Sequence, residues 1–399
     1  MSIITAHSTL AGELEAVAEL AAKFKQSNEE LKLIIFTCTV VYNTEEVFAA
    51  LKKHFPNVPF QGGTSCNAVM TEDGLVSDSG RAMAAIAFSG DGEYGVGSAP
   101  KEGNPKQAAQ QALEQAIDNA ERSGELPSAI WLIGPPGGEE EVIEGLGESV
   151  GSYTPLIGGS SADNTIEGYW KQFTNTGLYN DHICVVAIFN DHKKLVTSFH
   201  SGYDPSSKKG KVTKAADRII QEIDNQPASE VYNMWSEGAI DEQMEGGVIL
   251  GPSNLFPLGR RVGSIAGVDY YCLSHPERVT EDKGITLFTD ISIGEEVTCM
   301  NGSVDLLIAR AGNVISSALE KEKLTKDQIT GALIIFCAGC MLTIGDRMTE
   351  AVGHIKKELG EETPFLSLFT FGEQGSLAGG ENRHGNLMIS VLLFTDKDL

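Results

Sequence analysis

The sequence has 399 residues, of which 41% are hydrophobic and 21% charged, as expected for a globular protein with a substantial core. A formal net charge of −25 argues against nucleic-acid and membrane-surface partners, because an acidic surface repels phosphate groups. Seven cysteines without a framework spacing are typical of a reducing compartment. No signal-peptide pattern and no apolar run of about 18–20 residues is present, so we expect a cytoplasmic protein.

An internal repeat is the main feature of the sequence, and its first copy can be followed in chain order. A short strand is predicted over 2–6 and an amphipathic helix over about 9–25. An apolar strand follows at 33–36, and then a second helix. A Gly-containing segment at 61–66 leads to a last strand at 82–88. One copy therefore has the order strand, helix, strand, helix, strand, loop, strand.

The same order recurs twice, with first strands predicted at 94–98 and 296–300. Ile130-Trp131-Leu132-Ile133 and Leu333-Ile334-Ile335-Phe336 correspond to Leu33-Ile34-Ile35-Phe36 of the first copy. The second helix of each copy has apolar residues at offsets 0, 1, 4 and 8, which is one face of a helix. These residues are Val47, Phe48, Leu51 and Phe55; Val142, Ile143, Leu146 and Val150; and Ala351, Val352, Ile355 and Leu359.

The alternation of strands and helices predicts an α/β fold of mainly parallel or mixed sheets covered by helices. The region before the third copy breaks the rhythm, with hairpin-like strands and one helix predicted over Ala228–Trp235. We predict an N-terminal module over 1–205, with copies at about 1–90 and 91–195, and a C-terminal module over 206–399, with a β insert at about 206–284 and the third copy at about 285–396.

The candidate ligand-binding residues lie in the segments that follow the repeated strands. Ligands of open α/β sheets bind beyond the carboxyl ends of the strands, and small or hydroxylated residues let a ligand approach the backbone. On this basis the candidates are Thr37, Cys38, Gly62, Gly63, Thr64, Ser65, Gly158, Gly159, Ser160, Ser161, Asp163, Asn164, Cys337, Gly372 and Glu373.

No complete catalytic motif accompanies these residues. The sequence contains neither a P-loop nor the Gly-x-Ser-x-Gly of a nucleophile elbow, and the eight histidines lack metal-binding spacing. We therefore predict neither catalytic nor metal-ligating residues. The alternative is an enzyme acting on a small metabolite, with Asp163 and Glu373 as acid and base.

Two further features leave alternatives open. Cys337-Ala338-Gly339-Cys340 is a small-residue loop with incidental thiols, a redox pair or half of a zinc site. His200 lies in a Gly-containing turn at the junction of the modules, where it could serve as an axial ligand to an iron.

Four segments together resemble the N-terminal and C-terminal modules of FIST-domain proteins. Residues 155–164 resemble the Gly-Gly-x-x-x-Asp-Asn segment of that family, and residues 226–232 resemble its Pro-Ala-x-x-x-Tyr segment. Residues 336–340 resemble a Cys-Ala-Gly-Arg strand end, and residues 369–375, followed by Asn382-Arg383-His384, resemble the closing Tyr-Gly-Glu segment.

The resemblance implies a sensory role in signal transduction, with an amino acid as ligand and a separate histidine kinase as partner. Some proteins of this type bind haem b and sense nitric oxide, so the resemblance makes haem b a candidate cofactor and His200 a candidate to bind it. The sequence departs from the family at Cys340, where the pattern has arginine. Arg347 is the candidate to replace that arginine in ligand binding.

Overall fold

The structure, a computed structural model, describes residues 2–27, 29–265, 267–377 and 379–399, and it confirms a mixed α/β fold. The first unit consists of β1 (Ser2–Ser8), α1 (Glu13–Phe24), β2 (Leu31–Cys38), α2 (Thr44–His54), β3 (Phe60–Thr64), β4 (Val69–Thr71), β5 (Gly74–Val76) and β6 (Met83–Ser89). The second unit consists of β7 (Glu93–Pro100), α3 (Pro105–Asn119), β8 (Ala129–Gly134), α4 (Glu139–Val150), β9 (Leu156–Ser160), β10 (Gln172–Thr174), β11 (Gly177–Tyr179) and β12 (His182–Phe189).

An insert separates the first strand of the third unit, β13 (Lys193–Ser201), from its remaining elements. The insert contains β14 (Asp204–Ala216), β15 (Ile219–Ile223), β16 (Gln226–Pro227), α5 (Ala228–Trp235), β17 (Gly247–Val248), α6 (Leu250–Ser253), β18 (Leu258–Ile265), β19 (Val268–Ser274), β20 (Pro276–Val279), β21 (Ile285–Leu287) and β22 (Glu296–Asn301). The third unit then continues with α7 (Val304–Glu322), β23 (Ile329–Cys337), α8 (Ala338–Ile344), α9 (Met348–Leu359), β24 (Phe365–Thr370), β25 (Glu373–Ser376), β26 (Asn382–Gly385) and β27 (Met388–Asp398).

The helices begin and end where the sequence supplies caps. Asn43 Oδ1 accepts hydrogen bonds from the backbone N–H groups of Glu45 and Glu46 at the start of α2. Asn104 caps α3 in the same way and is followed by a proline, whose missing N–H costs nothing at the first helical position. Gly151 ends α4 with a φ of 92°, a conformation that favours glycine.

The pairing of β13 explains how the third unit is built. It pairs antiparallel with β27, as β1 pairs with β6 and β7 with β12. The sequence predicted the strand at 296–300 for this position. That segment is a strand, β22, but it pairs with β14 and β18 inside the insert. The first strand of the third unit therefore precedes the insert in the chain.

The three units exchange β-hairpins in a cycle, which the sequence did not predict. Hairpin β4–β5 of the first unit pairs with β24 of the third, and β25–β26 of the third pairs with β9 of the second. The cycle closes where β10–β11 of the second unit pairs with β3 of the first. Each unit thus has a six-stranded mixed sheet that contains two strands of a neighbour.

The inner faces of the three sheets form one common core. Phe88 of the first unit lies between Tyr94 of the second and Phe394 of the third, with ring centroids 5.6 and 4.9 Å away. The helices cover the outer faces. Among the described residues, no helix combines the length and the apolar character needed to cross a membrane.

Side-chain direction corrects the sequence alignment of the second copy by one residue. Leu33 of β2 faces the common core, and so does Ala129 of β8, whereas Ile130 faces the helices. The sequence had paired Leu33 with Ile130. Both strands are apolar on both faces, so the hydrophobic pattern alone could not determine which residue faces which side.

Replacing Gly159 with alanine should lower the melting temperature. A Cβ atom there would lie 2.6 Å from Thr370 Cγ2 and 3.0 Å from Ile335 Cγ2, where the sheets of two units meet. Overpacking of this kind costs ~1–3 kcal/mol. The control is Gly353→Ala on α9, where, apart from the chain neighbours and the backbone of the same helix, no described atom lies within 4 Å of the added carbon. Thermal unfolding followed by circular dichroism should separate the two variants, and equal melting temperatures would refute the close approach.

Candidate functional site

Backbone hydrogen bonds join the ends of the repeated strands in a ring. The N–H of Cys66 in the first unit donates to Phe369 O in the third at 3.0 Å. The N–H of Ala162 in the second unit donates to Thr64 O in the first at 2.9 Å. A third link runs between the strand ends of the third and second units, where the N–H of residue 371 donates to the carbonyl of residue 160 at 3.0 Å. The hairpin exchange therefore holds the carboxyl ends of three strand pairs together.

A cavity of about 690 Å³ lies between these strand ends and the insert. All three units contribute to its lining, the first with Cys66, the second with Asn164 among others and the third with Phe371 among others. Leu250 and Phe288 line it from the insert. The cavity is large enough for a small organic molecule and has walls from every part of the chain.

Most of the cavity wall is apolar. Trp170 and Phe371 contact each other edge to face, with ring centroids 6.2 Å apart. The large aliphatic and aromatic residues of the wall are Ile166, Trp170, Leu250, Leu287, Phe288, Leu342 and Phe371. Such a wall binds the carbon skeleton of a ligand and leaves orientation to a few polar groups.

Two asparagines supply those polar groups. Asn386 is 2% exposed, and its Oδ1 accepts a hydrogen bond from the His275 N–H at 3.2 Å, which fixes the orientation of the amide. Its Nδ2 and the Oδ1 of Asn254 are buried without a hydrogen-bond partner among the described residues. Buried amide atoms normally have partners, so this donor and this acceptor are suited to a ligand.

An ion cluster at the wall joins the insert to the second unit. Arg218 Nη2 lies 2.9 Å from Oε2 of both Glu139 and Glu140. Arg218 Nε lies 2.8 Å from Asp290 Oδ1. Burial alone would raise the pKa of Glu139, but the neighbouring His384 and Arg218 lower it to about 2. Glu139 is therefore ionised at neutral pH and Arg218 is engaged by three carboxylates.

The same cluster contains the described residues that could hold a cation. Donor atoms of Glu139, Glu140 and His384 lie within 4.8 Å of one another. The guanidinium of Arg218 already contacts both carboxylates, so a metal ion would have to displace it.

Two more ionisable groups line the cavity. Burial lowers the pKa of His275 to about 4, and its Nε2 lies 3.1 Å from Leu250 O, so the ring is neutral at physiological pH. Burial raises the pKa of Glu277 above its usual value, against the charge of neighbouring Arg278. An ammonium group of a ligand beside Glu277 would favour its ionised form.

Of the residues that the sequence singled out, Asn164 and Cys337 line the cavity. Most of the others are buried inside or next to the strands, beneath the ring of strand ends: Thr37, Cys38, Gly62, Gly63, Thr64, Ser65, Gly158, Gly159, Ser160, Ser161, Gly372 and Glu373. The segment predicted as a loop at 337–340 ends β23 and begins α8 instead.

Two predicted residues lie away from the cavity wall. Arg347 is on the surface, where it pairs with Asp305 at 2.8 Å and with Glu350 at 2.7 Å. His200 lies within β13, opposite Ile389 of β27, and not in a turn.

Asp163 organises the loop that carries Asn164. Its two carboxylate oxygens accept hydrogen bonds from five consecutive backbone N–H groups, those of residues 165–169. Glu373 Oε1 accepts from the Thr370 hydroxyl at 3.2 Å and its Oε2 from the Met388 N–H at 3.0 Å. These two carboxylates therefore support the polypeptide around the cavity and do not face each other across it.

Sequence reasoning missed the part of the site that the insert contributes. Arg218, Asn254, His275 and Glu277 lie in segments without a repeat or a motif, so no local signal marked them. Trp170 is different, since a large aromatic residue only six positions after the Gly-Gly-x-x-x-Asp-Asn segment could have been included among the candidates.

The fold is that of a three-unit α/β protein with an insert and a cavity at the strand ends. The FIST N domain matches residues 32–226, and the FIST C domain matches residues 228–376. The chain therefore belongs to the FIST family. Membership supports a general role in binding small ligands and in signalling.

Other comparisons are more distant. The uncharacterized protein MJ1623 of Methanocaldococcus jannaschii is 30% identical over 100 residues, which are 25% of this chain and 19% of that protein. The chain thus matches about a fifth of the relative's length. A cyanuric acid hydrolase from A. caulinodans aligns over 99% of both chains at 10% identity, with a TM-score of 0.38. PurLQS from Thermotoga maritima aligns over 76% of this chain and 72% of its own at 10% identity, with a TM-score of 0.23. Similarity at this level does not define a function.

Glu139→Gln should reduce stability at neutral pH and flatten its dependence on acid. The pKa of Glu139 is lower in the folded protein, about 2, than its ordinary 4.5. Its contribution is therefore complete above pH 4.5 and is lost as the pH falls toward 2. The shift corresponds to about 3 kcal/mol. Urea unfolding between pH 7 and 3 measures this, with Glu144→Gln, an exposed partner of Lys106, as control. If the stability of both variants depended on pH in the same way, the contribution assigned to ionised Glu139 would be contradicted.

Proposed function

We propose that the protein is a sensor whose cavity binds a small neutral or cationic organic molecule carrying an amino group and a hydrogen-bond acceptor, such as an amino acid or its amide. The pair of unpartnered amide atoms, Asn386 Nδ2 and Asn254 Oδ1, is the observation that carries the proposal. The Asn386 donor suits the carbonyl or carboxylate oxygen of the ligand. The Asn254 acceptor suits the amine, and the apolar wall suits a hydrocarbon side chain.

The charges of the wall support this choice of ligand. Among the described residues, the charged side chains of the lining are Glu139, Glu277 and Arg218. Arg218 is engaged by Glu139, Glu140 and Asp290, so it offers no unpaired positive charge to a ligand. Phosphates and dicarboxylates would meet uncompensated negative charge, whereas an ammonium group would meet Glu277 and aromatic faces.

Two observations favour such a ligand over haem b. The two propionates of haem need positive partners, and the guanidinium at the wall is already paired. His200, the candidate axial ligand, is on β13 outside the lining, and the cavity histidine His275 has its Nε2 directed at Leu250 O. These residues do not match the needs of haem b.

The position of the cavity suggests how occupancy is transmitted. The insert forms one wall and the three units form the other, and the Arg218–Glu139 pair bridges the two. A ligand that contacts both walls stabilises the arrangement in which they are closest. A separate protein, such as a histidine kinase, would then read the position of the insert. In this proposal the enzyme alternative has no support from Asp163, whose oxygens are taken by backbone N–H groups.

Compounds that share one skeleton test the proposal. Leucine, leucinamide and 3-methylbutylamine should raise the melting temperature, whereas 4-methylpentanoic acid, which lacks the amine, should not. A ligand at one hundred times its Kd stabilises by about 2.7 kcal/mol. The phenylalanine series should be tested in parallel, because the wall does not fix the side chain.

Glu277→Gln should reduce the rise in melting temperature that the amines cause. In this variant, as in wild type, 4-methylpentanoic acid should not change the melting temperature. Glu281→Gln, an exposed carboxylate of the same insert, is the matched control and should behave as wild type. Stabilisation by 4-methylpentanoic acid equal to that by leucine, or unchanged amine shifts in Glu277→Gln, would overturn the proposal.

Spectroscopy tests the haem alternative. When haemin is added to wild type and to His200→Ala, we expect the two absorption spectra to be the same, because His200 does not line the cavity. A Soret band shifted to longer wavelength in wild type and lost in His200→Ala would restore haem b as the ligand.

A further inference from the structure

A pair of thiols lies at the cavity wall and takes no part in the proposed ligand binding. Cys337 lines the cavity at the end of β23 and is 5% exposed. Cys340, in α8, is fully buried. Cys337 is the N-cap residue of α8 and Cys340 is the third residue of that helix, so the two side chains lie one helical turn apart. One thiol of the pair is thus accessible from the cavity and the other is protected behind the wall.

Arg310 brings a buried positive charge to this pair. The residue is 3% exposed, and Nη1 donates to Leu387 O. Nε and Nη2 are buried without a hydrogen-bond partner among the described residues. A guanidinium stays protonated in proteins, and a buried charge needs a counter-charge nearby. An anion is therefore required close to Arg310.

Cys340 and Glu373 compete to be that anion. Arg310 interacts more strongly with Cys340 than with Glu373. Burial raises the pKa of Glu373 well above its usual value. Burial alone would also raise the pKa of Cys340, but the neighbouring Cys337 thiol and the charge of Arg310 lower it below its usual value. Cys340 is therefore the thiol of the pair that gives up its proton more easily, because burial raises the pKa of Cys337.

A hydroxyl group completes the surroundings of Cys340. Tyr203 Oη lies 3.6 Å from Cys340 Sγ and 2.8 Å from the backbone oxygen of Asn254, a residue of the cavity wall. The Tyr203 hydroxyl donates its hydrogen to the Asn254 carbonyl, so the groups that favour the thiolate form of Cys340 are the Arg310 guanidinium and the neighbouring Cys337 thiol.

We propose that Cys337 and Cys340 form a thiol-modification site that reduces small disulfides entering through the cavity. The proton of Cys337 passes to Cys340, and the Cys337 thiolate attacks one sulfur of the disulfide RSSR. A mixed disulfide forms, and the departing RS⁻ takes the proton from Cys340 and leaves as RSH. The Cys340 thiolate then attacks the Cys337 sulfur and releases the second RS⁻. Two electrons pass from the protein to RSSR, and a Cys337–Cys340 disulfide remains.

Mass spectrometry of the anaerobic, reduced protein tests the site with bis(2-hydroxyethyl) disulfide. After alkylation of free thiols, wild type should carry a bond between Cys337 and Cys340 and no adduct. Cys340→Ser should form the mixed disulfide on Cys337 more slowly than wild type, because the group that accepts the Cys337 proton is missing. The reaction should stop there, because no second thiolate can release the adduct. Cys337→Ser should react at least about tenfold more slowly than wild type, because the accessible thiol is missing.

Cys66 provides the internal control for access, since it lines the same cavity, and burial raises its pKa to about 12. It should remain free while Cys337 reacts. Arg310→Lys keeps the positive charge and should keep most of the rate. Arg310→Gln should lower the rate at least about tenfold, because one unit of pKa changes the thiolate population tenfold. If the Gln variant does not fold, the comparison of Cys340→Ser with wild type still decides.

The inference is overturned if Cys337 and Cys340 are both recovered as free thiols, or if they react no faster than Cys66. It is also overturned if Cys340→Ser carries an adduct at Cys66 and none at Cys337, since the disulfide would then enter the cavity without reacting at Cys337.

Discussion

The cyclic exchange of β-hairpins is the constraint on which the rest of the structure depends. Each sheet is completed by two strands of a neighbouring unit, so a unit folded alone would expose an unpaired sheet edge. The common core has the same consequence, because Phe88 packs on aromatic rings from both other units. A buried polar link adds to it, where Trp131 Nε1 donates to Gln61 Oε1 at 2.7 Å across two units. The hairpin exchange, the common core and the hydrogen bond between Trp131 and Gln61 together require the three units to fold as one body.

The cavity follows from this constraint. Because the exchanged hairpins hold the strand ends in a ring, the ring can act as a fixed wall, and the insert supplies the opposing wall. The glycines that suggested ligand contact serve the ring itself. Gly63 has no room for a side chain, because Ile133 and Ser161 of the second unit occupy that space. Close approach of the sheets, and not access to a ligand, is what these positions need.

The sequence was sufficient to predict local secondary structure, but it was insufficient to predict which strands pair between units. Matched apolar faces predicted the three copies, and residues such as Leu51 and Leu146 are buried as expected. The hairpin exchange could not be predicted, since no pattern within a strand states which unit supplies its neighbour. The strand at 296–300 was assigned to the third sheet for the same reason. Only two of the predicted site residues, Asn164 and Cys337, line the cavity, because most of the others are buried in or beside the strands. An insert without a repeat supplies part of the wall in their place.

The thiol pair and the proposed ligand-binding groups lie where the structure of the third unit differs from that of the other two. In strand register, Cys337 holds the position of Thr39 in the first unit and of Pro135 in the second. The following residues form the additional helix α8, which brings Cys340 to Arg310. The insert also interrupts this unit and faces the same strand end. A symmetric repeat would have given three equivalent strand ends with no preferred ligand. In the third unit, the strand end carries a thiol pair and faces the insert, so the ring has one side that differs from the others. The proposed reactive groups and the proposed binding groups both lie on that side.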